Sequence, residues 1–147
     1  MLSQQKSLKD IKNKKLIQTK AFINGEWVES VSGRSTFDVV DPATLEKLAT
    51  IPEMHTADVT KAVDAAHEAF AAYKETTPRQ RARMLRKWSD LCHENIDDLA
   101  LIMTLENGKP LAESKGEVIY GASFLEWFAM QAGERHRLNN APSLRFD

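Results

Sequence analysis

The chain has 147 residues, 42% hydrophobic and 28% charged, with a net charge of −1 and a single cysteine. That is enough for one globular domain, which buries roughly 70% of the surface its unfolded chain exposes. It excludes an internal disulfide framework, and no apolar run reaches the ~18 residues of a membrane span. The charge is uneven. Residues 1–20 hold six lysines against Asp10, giving +5, and the remainder carries −6. That balance argues against a nucleic-acid or membrane-surface protein as a whole. The start lacks the apolar centre and cleavage site of a secretory signal. We expect the cytoplasm, with the mitochondrion as the alternative because the start is acid-poor, although it has no arginine.

In chain order, residues 1–20 read as a basic lead-in, flexible or loosely helical. "AFINGEWVES" then predicts two short strands around Asn24-Gly25, a pair able to supply the two positive φ angles of a type I′ turn. Ser32-Gly33 is a turn and "FDVV" a strand. Asp41-Pro42-Ala43-Thr44 is a turn with proline at its second position. "LEKLATI" is a further strand, stopped at Pro52.

The rest predicts three helices. Thr56 caps the first, with Asp58 in its first turn. Val59, Ala62, Val63, Ala66, Ala69, Phe70 and Tyr73 make one face. In the second, Thr77 is the N-cap, Pro78 the first helical residue and Gln80 the partner of a capping box. It is expected to bury Ala82, Leu85, Trp88, Leu91 and Cys92. Asn95 kinks or recaps it before Leu99, Ile102, Met103 and Leu105, and Gly108 ends it in the left-handed conformation. The third helix starts near Pro110. Between Val118 and Met130 its only polar side chains are Tyr120, Ser123 and Glu126. A surface helix shows a clear polar face, so this one is expected to be buried on more than one side. The tail from Glu134 reads as polar and irregular.

The residue chemistry assembles no catalytic constellation. Cys92 sits on the expected buried face beside Leu91, where a thiol away from cations is inert. Adjacent His93 and Glu94 point in other directions on a helix. His55, His67, His93 and His136 are 12, 26 and 43 residues apart, none a zinc spacing, so no metal site is expected. There is no glycine-rich phosphate loop; the glycine of "EVIYGASF" reads as a close helix-packing position. Arg79, Arg83 and Arg86, with Arg81 and Lys87 nearby, form a solvated face or interface ion pairs in preference to a phosphate-contacting stripe. No aromatic residues interleave them as a single-strand surface requires.

"AFINGEWVES", "FDVVDPAT", "TPRQRARMLRKW", "CHENIDDLALIMTLENGKPLAESKGE" and "FLEWFA" occur in an order and spacing that resembles the aldehyde dehydrogenase superfamily. "TLENGKPLAESKGEVIYGASFLEWFA" resembles its succinate-semialdehyde dehydrogenase branch, with glutarate-semialdehyde enzymes looking similar. The likeness runs from Leu16 to Ala129, and the sequence departs from the family pattern at Met130. That departure reads as a truncated gene product or a misread splice junction.

The resemblance implies an α/β enzyme fold, of which this chain is an α+β fragment: N-terminal β-hairpins and three helices without the complete dinucleotide-binding sheet. Residues 1–20 would be the lead-in, 21–138 the N-terminal part of the enzyme domain, and 139–147 a divergent tail. The implied family reaction is NAD- or NADP-dependent oxidation of succinate semialdehyde to succinate, in 4-aminobutyrate degradation. The family's nucleophile, base, oxyanion-holding asparagine and cofactor segments follow the point where this chain stops. No catalytic or cofactor-binding residue maps onto it, and Cys92 does not match the family cysteine. The chain alone is therefore expected to be inactive and to bind neither cofactor. Its third helix corresponds to one flanking the family's substrate tunnel. Tyr120, Phe124 and Trp127, four and three residues apart, are candidate tunnel residues, with plain core as the competing role. The alternative function is a non-catalytic module that forms homo-oligomers or pairs with full-length aldehyde dehydrogenases.

Overall fold

A computed structural model describes residues 6–31, 33 and 35–139, with only the helical backbone given for 133–139. Turn chemistry sets the first half. Strands β1 (Ala21–Ile23) and β2 (Glu26–Val28) pair antiparallel. Asn24 and Gly25 between them take φ of 51° and 81°, the two left-handed positions the dipeptide predicts. Phe22 and Trp27 lie opposite each other, ring centroids 5.0 Å apart. Strands β3 (Thr36–Val40) and β4 (Lys47–Pro52) form a second antiparallel pair, with a register shift between Val39 and Val40. The Asp41 carboxylate accepts the Ala43 N–H at 2.8 Å and fixes the connecting turn. Leu45, expected at the start of the strand, instead carries a positive φ of 61° within the turn. Pro52 is the last residue of β4, opposite Thr36, a strand-end place that tolerates proline.

Four helices follow: α1 (Thr56–Tyr73), α2 (Pro78–Glu94), α3 (Ile96–Asn107) and α4 (Leu111–Asn139). The sequence predicts three. Asn95 recaps rather than kinks: its backbone leaves helical geometry and its Nδ2 donates to the Leu91 carbonyl at 2.8 Å. The residue flanking α1 is His55, not Thr56, and its N–H donates to the Asp58 carboxylate at 2.9 Å. At α2 the capping box forms as expected. Gln80 N–H donates to Thr77 Oγ1 at 3.2 Å, and Thr77 N–H to Gln80 Oε1 at 2.7 Å. Gly108 ends α3 with φ 78°. Helix α4 runs on to Asn139 where an irregular tail was expected; residues 140–147 lie outside the described residues.

The core is small. Ile11, Leu101 and Leu105 are buried, with Leu48, Ile102 and Leu111 packed against them. Ile11 belongs to the stretch expected to be flexible. Two short 3-10 turns, Leu8–Asp10 and Lys14–Leu16, bring it to the core. Asp98 in the first turn of α3 then clamps it, accepting the N–H groups of Lys12 at 3.0 Å and Asn13 at 2.7 Å. Asn13 Nδ2 also donates to Asn95 Oδ1 at 2.8 Å. Lysines on either side of Ile11 mask an apolar anchor that Leu8 and Ile17 reinforce, so composition reads as looseness.

Helix α4 packs along α2 and against α3. Its buried residues in that layer are Ser114, Ala122 and Ala129. Ser89 on α2 is buried and donates to the Ala122 carbonyl at 3.3 Å. This seam of small residues overturns two expectations. Trp88 and Leu91 are exposed, since the seam selects the side of α2 carrying Ala82, Leu85, Ser89 and Cys92. Gly121 is not the packing position, because a Cβ there would meet no atom within 4 Å. Nor is α4 buried on more than one side. Ile119, Tyr120, Phe124, Trp127, Phe128 and Met130 stay exposed. On α1 the predicted apolar face is exposed too, at Val59, Val63, Phe70 and Tyr73.

Candidate functional site

Three places carry side chains that could support chemistry: the open face of α4, the surroundings of Cys92, and the charged junction at the start of α3. On α4, Tyr120, Phe124 and Trp127 share one face as their spacing requires. With Ser123, Glu126 and Met130 they line a wide groove of about 410 Å³. Tyr120 and Phe124 meet edge to face, centroids 4.8 Å apart at 81°, a favourable aromatic geometry. Ser123 donates its hydroxyl to the Tyr120 carbonyl at 2.7 Å, so it is turned back onto its own helix. Glu126 is the one charged side chain lining the groove, and the rings of Tyr120, Phe124 and Trp127 with Met130 make the rest of it mainly apolar.

Cys92 is half-buried, and burial pushes its thiol above the ordinary value. A raised thiol is a poor nucleophile at neutral pH. His93 turns Nδ1 to the Ser89 carbonyl at 2.9 Å, and Glu94 lies 3.9 Å from Lys87. Neither is aligned as a base for the sulfur. Among the described residues, no three His, Cys, Asp or Glu side chains come together as metal ligands.

The charged junction is a depression of about 220 Å³ lined by Lys6, Asp10, Lys12, Asp97, Asp98 and Lys115, among others. Its charges are largely committed. Lys115 pairs with Asp97 at 2.6 Å and lowers that carboxyl's pKa. Asp98 is held below its ordinary value by the Asn13 and Lys12 N–H groups. Asp58, in the first turn of α1, is buried and does parallel work. It accepts the Val31 N–H at 2.7 Å and the Ser30 hydroxyl at 2.8 Å, besides the His55 N–H. Those backbone bonds, His55 first and Val31 next, lower its pKa. Both aspartates hold loops to helix starts. Residue order gave Asp58 a place in a first turn but no partner, and gave Asp98 no signal, since its partners lie 85 and 86 residues away.

A pH dependence follows. Both carboxyls have folded pKa values below the unfolded value of about 3.9, so the unfolded chain binds protons first on acidification. Their contribution is complete above that value and is lost as pH falls through the folded pKa. The urea midpoint should be flat near neutrality and drop below about pH 4, and Asp98→Asn should make that acid limb shallower. An unchanged acid limb in the variant would deny Asp98 this role.

A dinucleotide needs a phosphate cradle, commonly a glycine-rich turn between a parallel strand and a helix. Both described sheets are two-stranded and antiparallel, and neither feeds such a turn. The described residues thus hold no cradle of that kind.

Two antiparallel hairpins beside a helical layer make this an α+β unit whose buried polar groups serve structure. The particular family is settled by comparison. The sequence model of the Aldehyde dehydrogenase family matches residues 27–145, and the chain belongs to that family. It is 48% identical over 122 residues to glutarate-semialdehyde dehydrogenase of Pseudomonas putida, covering 83% of this chain and 25% of that protein. It is 49% identical over 117 residues to succinate-semialdehyde dehydrogenase [NADP(+)] of Saccharomyces cerevisiae, covering 80% and 23%. The crystal structure of succinate-semialdehyde dehydrogenase from Burkholderia pseudomallei superposes with a TM-score of 0.80 at 50% identity, over 82% of this chain and 25% of that one. The α+β arrangement thus matches the N-terminal part of the aldehyde dehydrogenase fold, and the chain spans about a quarter of the length of these relatives.

Proposed function

We propose that this chain is the N-terminal part of a semialdehyde dehydrogenase fold, whose complete form oxidises succinate semialdehyde or a close homologue. The reaction is semialdehyde plus NAD(P)+ and water to dicarboxylate plus NAD(P)H, with 4-aminobutyrate breakdown as its setting. The observation that carries this reading is the 50% identity to the Burkholderia relative at a TM-score of 0.80. By itself the chain turns over no aldehyde. Covalent aldehyde oxidation needs an activated nucleophile and a positioned cofactor, and the half-buried Cys92 with its raised pKa is not the former. In the complete fold, Tyr120, Phe124 and Trp127 line the substrate tunnel, supported by their common open face on α4. The single cysteine suits a reducing compartment, so we place the protein in the cytoplasm; recovery of the tagged chain inside mitochondria would select the alternative.

One assay series tests this. Purified chain with succinate semialdehyde and NADP should give no steady rise in reduced-cofactor absorbance; turnover would overturn the inactivity. In a full-length relative, alanine at the counterpart of Phe124 should raise KM for the semialdehyde. A loss of stability with KM unmoved would make these residues plain core. A second reading, a non-catalytic module that pairs with full-length dehydrogenases, is favoured by the exposed apolar faces of α1, α2 and α4. Failure to co-purify with a full-length dehydrogenase would remove it.

A further inference from the structure

A carboxylate stands on the aromatic wall of α4. Glu126 lines the same groove as Tyr120, Phe124 and Trp127, and its side chain is exposed. Among the described residues it makes no hydrogen bond or ion pair. The residues three and four positions away on the helix are Ala122, Ser123, Ala129 and Met130, so its helical neighbours supply no cation to pair with it. Ser123, the polar one, gives its hydroxyl to the Tyr120 carbonyl instead. The groove therefore carries an uncompensated negative charge on an otherwise uncharged wall. A fixed charge beside a low-dielectric wall acts on ions in a narrow site more strongly than it would in open water.

The proposed reaction changes the charge of what occupies such a site. Succinate semialdehyde is a monoanion at neutral pH. Its oxidation by NAD(P)+ and water gives the succinate dianion, NAD(P)H and two protons. Coulomb energy scales with charge, so a carboxylate on the wall repels the product more than the substrate. We propose that Glu126 is a product-expelling residue of the tunnel, a fixed negative charge that weakens retention of the dicarboxylate more than binding of the semialdehyde. The inference rests on the reading of this groove as the substrate tunnel of a semialdehyde dehydrogenase. Glu126 acts by its field and takes no part in the bond changes.

The test is Glu126→Gln, which keeps the shape and removes the charge, in the Burkholderia relative with its matching N-terminal quarter replaced by this chain. Butanamide, butanoate and succinate form a neutral, monoanionic and dianionic series of inhibitors against succinate semialdehyde. Relative to butanamide, the variant should lower the inhibition constant of butanoate about 3-fold and that of succinate about 9-fold, the second factor being the square of the first. The series should flatten at high salt, and Glu126→Asp should keep the parent ratios. An equal change for all three inhibitors, or a series that Glu126→Asp shifts as much as Glu126→Gln, overturns the charge role. Phe124→Ala in the same protein then separates the two readings. A raised KM leaves the tunnel standing without its product-expelling residue, and an unmoved KM removes the tunnel as well. If the chimaera folds without turning over, calorimetric affinities of the same three ligands read the same series and decide in the same way.

Discussion

Replacing Ile11 by alanine should lower the unfolding free energy by about 2–4 kcal/mol. The side chain is 1% exposed and packs with Leu101 and Leu105 in a core of only a few residues. Deleting it loses transfer free energy and leaves a cavity that flanking helices fill only in part. For a domain whose whole stability is of order 5–15 kcal/mol, that is a large fraction. The consequence is local as well as global. Ile11 and the Asp98 carboxylate together hold residues 8–17 to α3. Without the side chain, the neighbouring lysines should become cleavable by trypsin well before the rest of the chain. Urea unfolding checks the first effect and limited proteolysis the second. A cost below about 0.5 kcal/mol, the scale of a surface change, with unchanged cleavage would return residues 6–20 to the flexible lead-in their composition describes.

Gly108→Ala should cost about 2–5 kcal/mol by two separable routes. An alanine at φ 78° pays roughly 1–2 kcal/mol for left-handed backbone. Its Cβ would also stand 2.8 Å from Cγ of Pro42, an overlap of the kind that costs roughly 1–3 kcal/mol. Pro42 belongs to the turn between β3 and β4, so this contact ties the second hairpin to the α3–α4 junction. Near that junction, Thr104 Oγ1 and the fully buried Ser114 Oγ lie 2.9 Å apart. A double-mutant cycle with Pro42→Ala separates the routes. The overlap part should be recovered in the double variant and the backbone part should persist. Simple additivity of the two changes would show that Pro42 does not press on Gly108.

The same local chemistry explains what was legible from residue order. Asn24-Gly25, Thr77-Pro78-Gln80 and Gly108 each act within four residues of themselves, through a forced φ or a side chain reaching a nearby N–H. All three formed as read. The candidate tunnel residues were legible only as a helix face. Their placement on one side of α4 follows from spacing, whereas whether that side is covered depends on atoms distant in sequence. Asn95 sat between the two regimes. An asparagine after a helical run permits either a kink or a restart, and the restart was chosen here with Asn13 and the lead-in packed against the start of α3.

By itself, then, the sequence determined the Asn24-Gly25 turn, the capping box that starts α2, the glycine stop of α3 and the family likeness carried by "TLENGKPLAESKGEVIYGASFLEWFA". Tertiary structure decided which faces those elements use. It buried Ser89 rather than Trp88 in α2, because a seam against Ala122 is closed by small residues and excludes an indole. It drew Ile11 out of a lysine-rich stretch into the core. It left the apolar faces of α1 and α4 open, although their periodicity demands a partner. Periodicity fixes that a face is apolar; only the atoms placed opposite it determine whether it is buried.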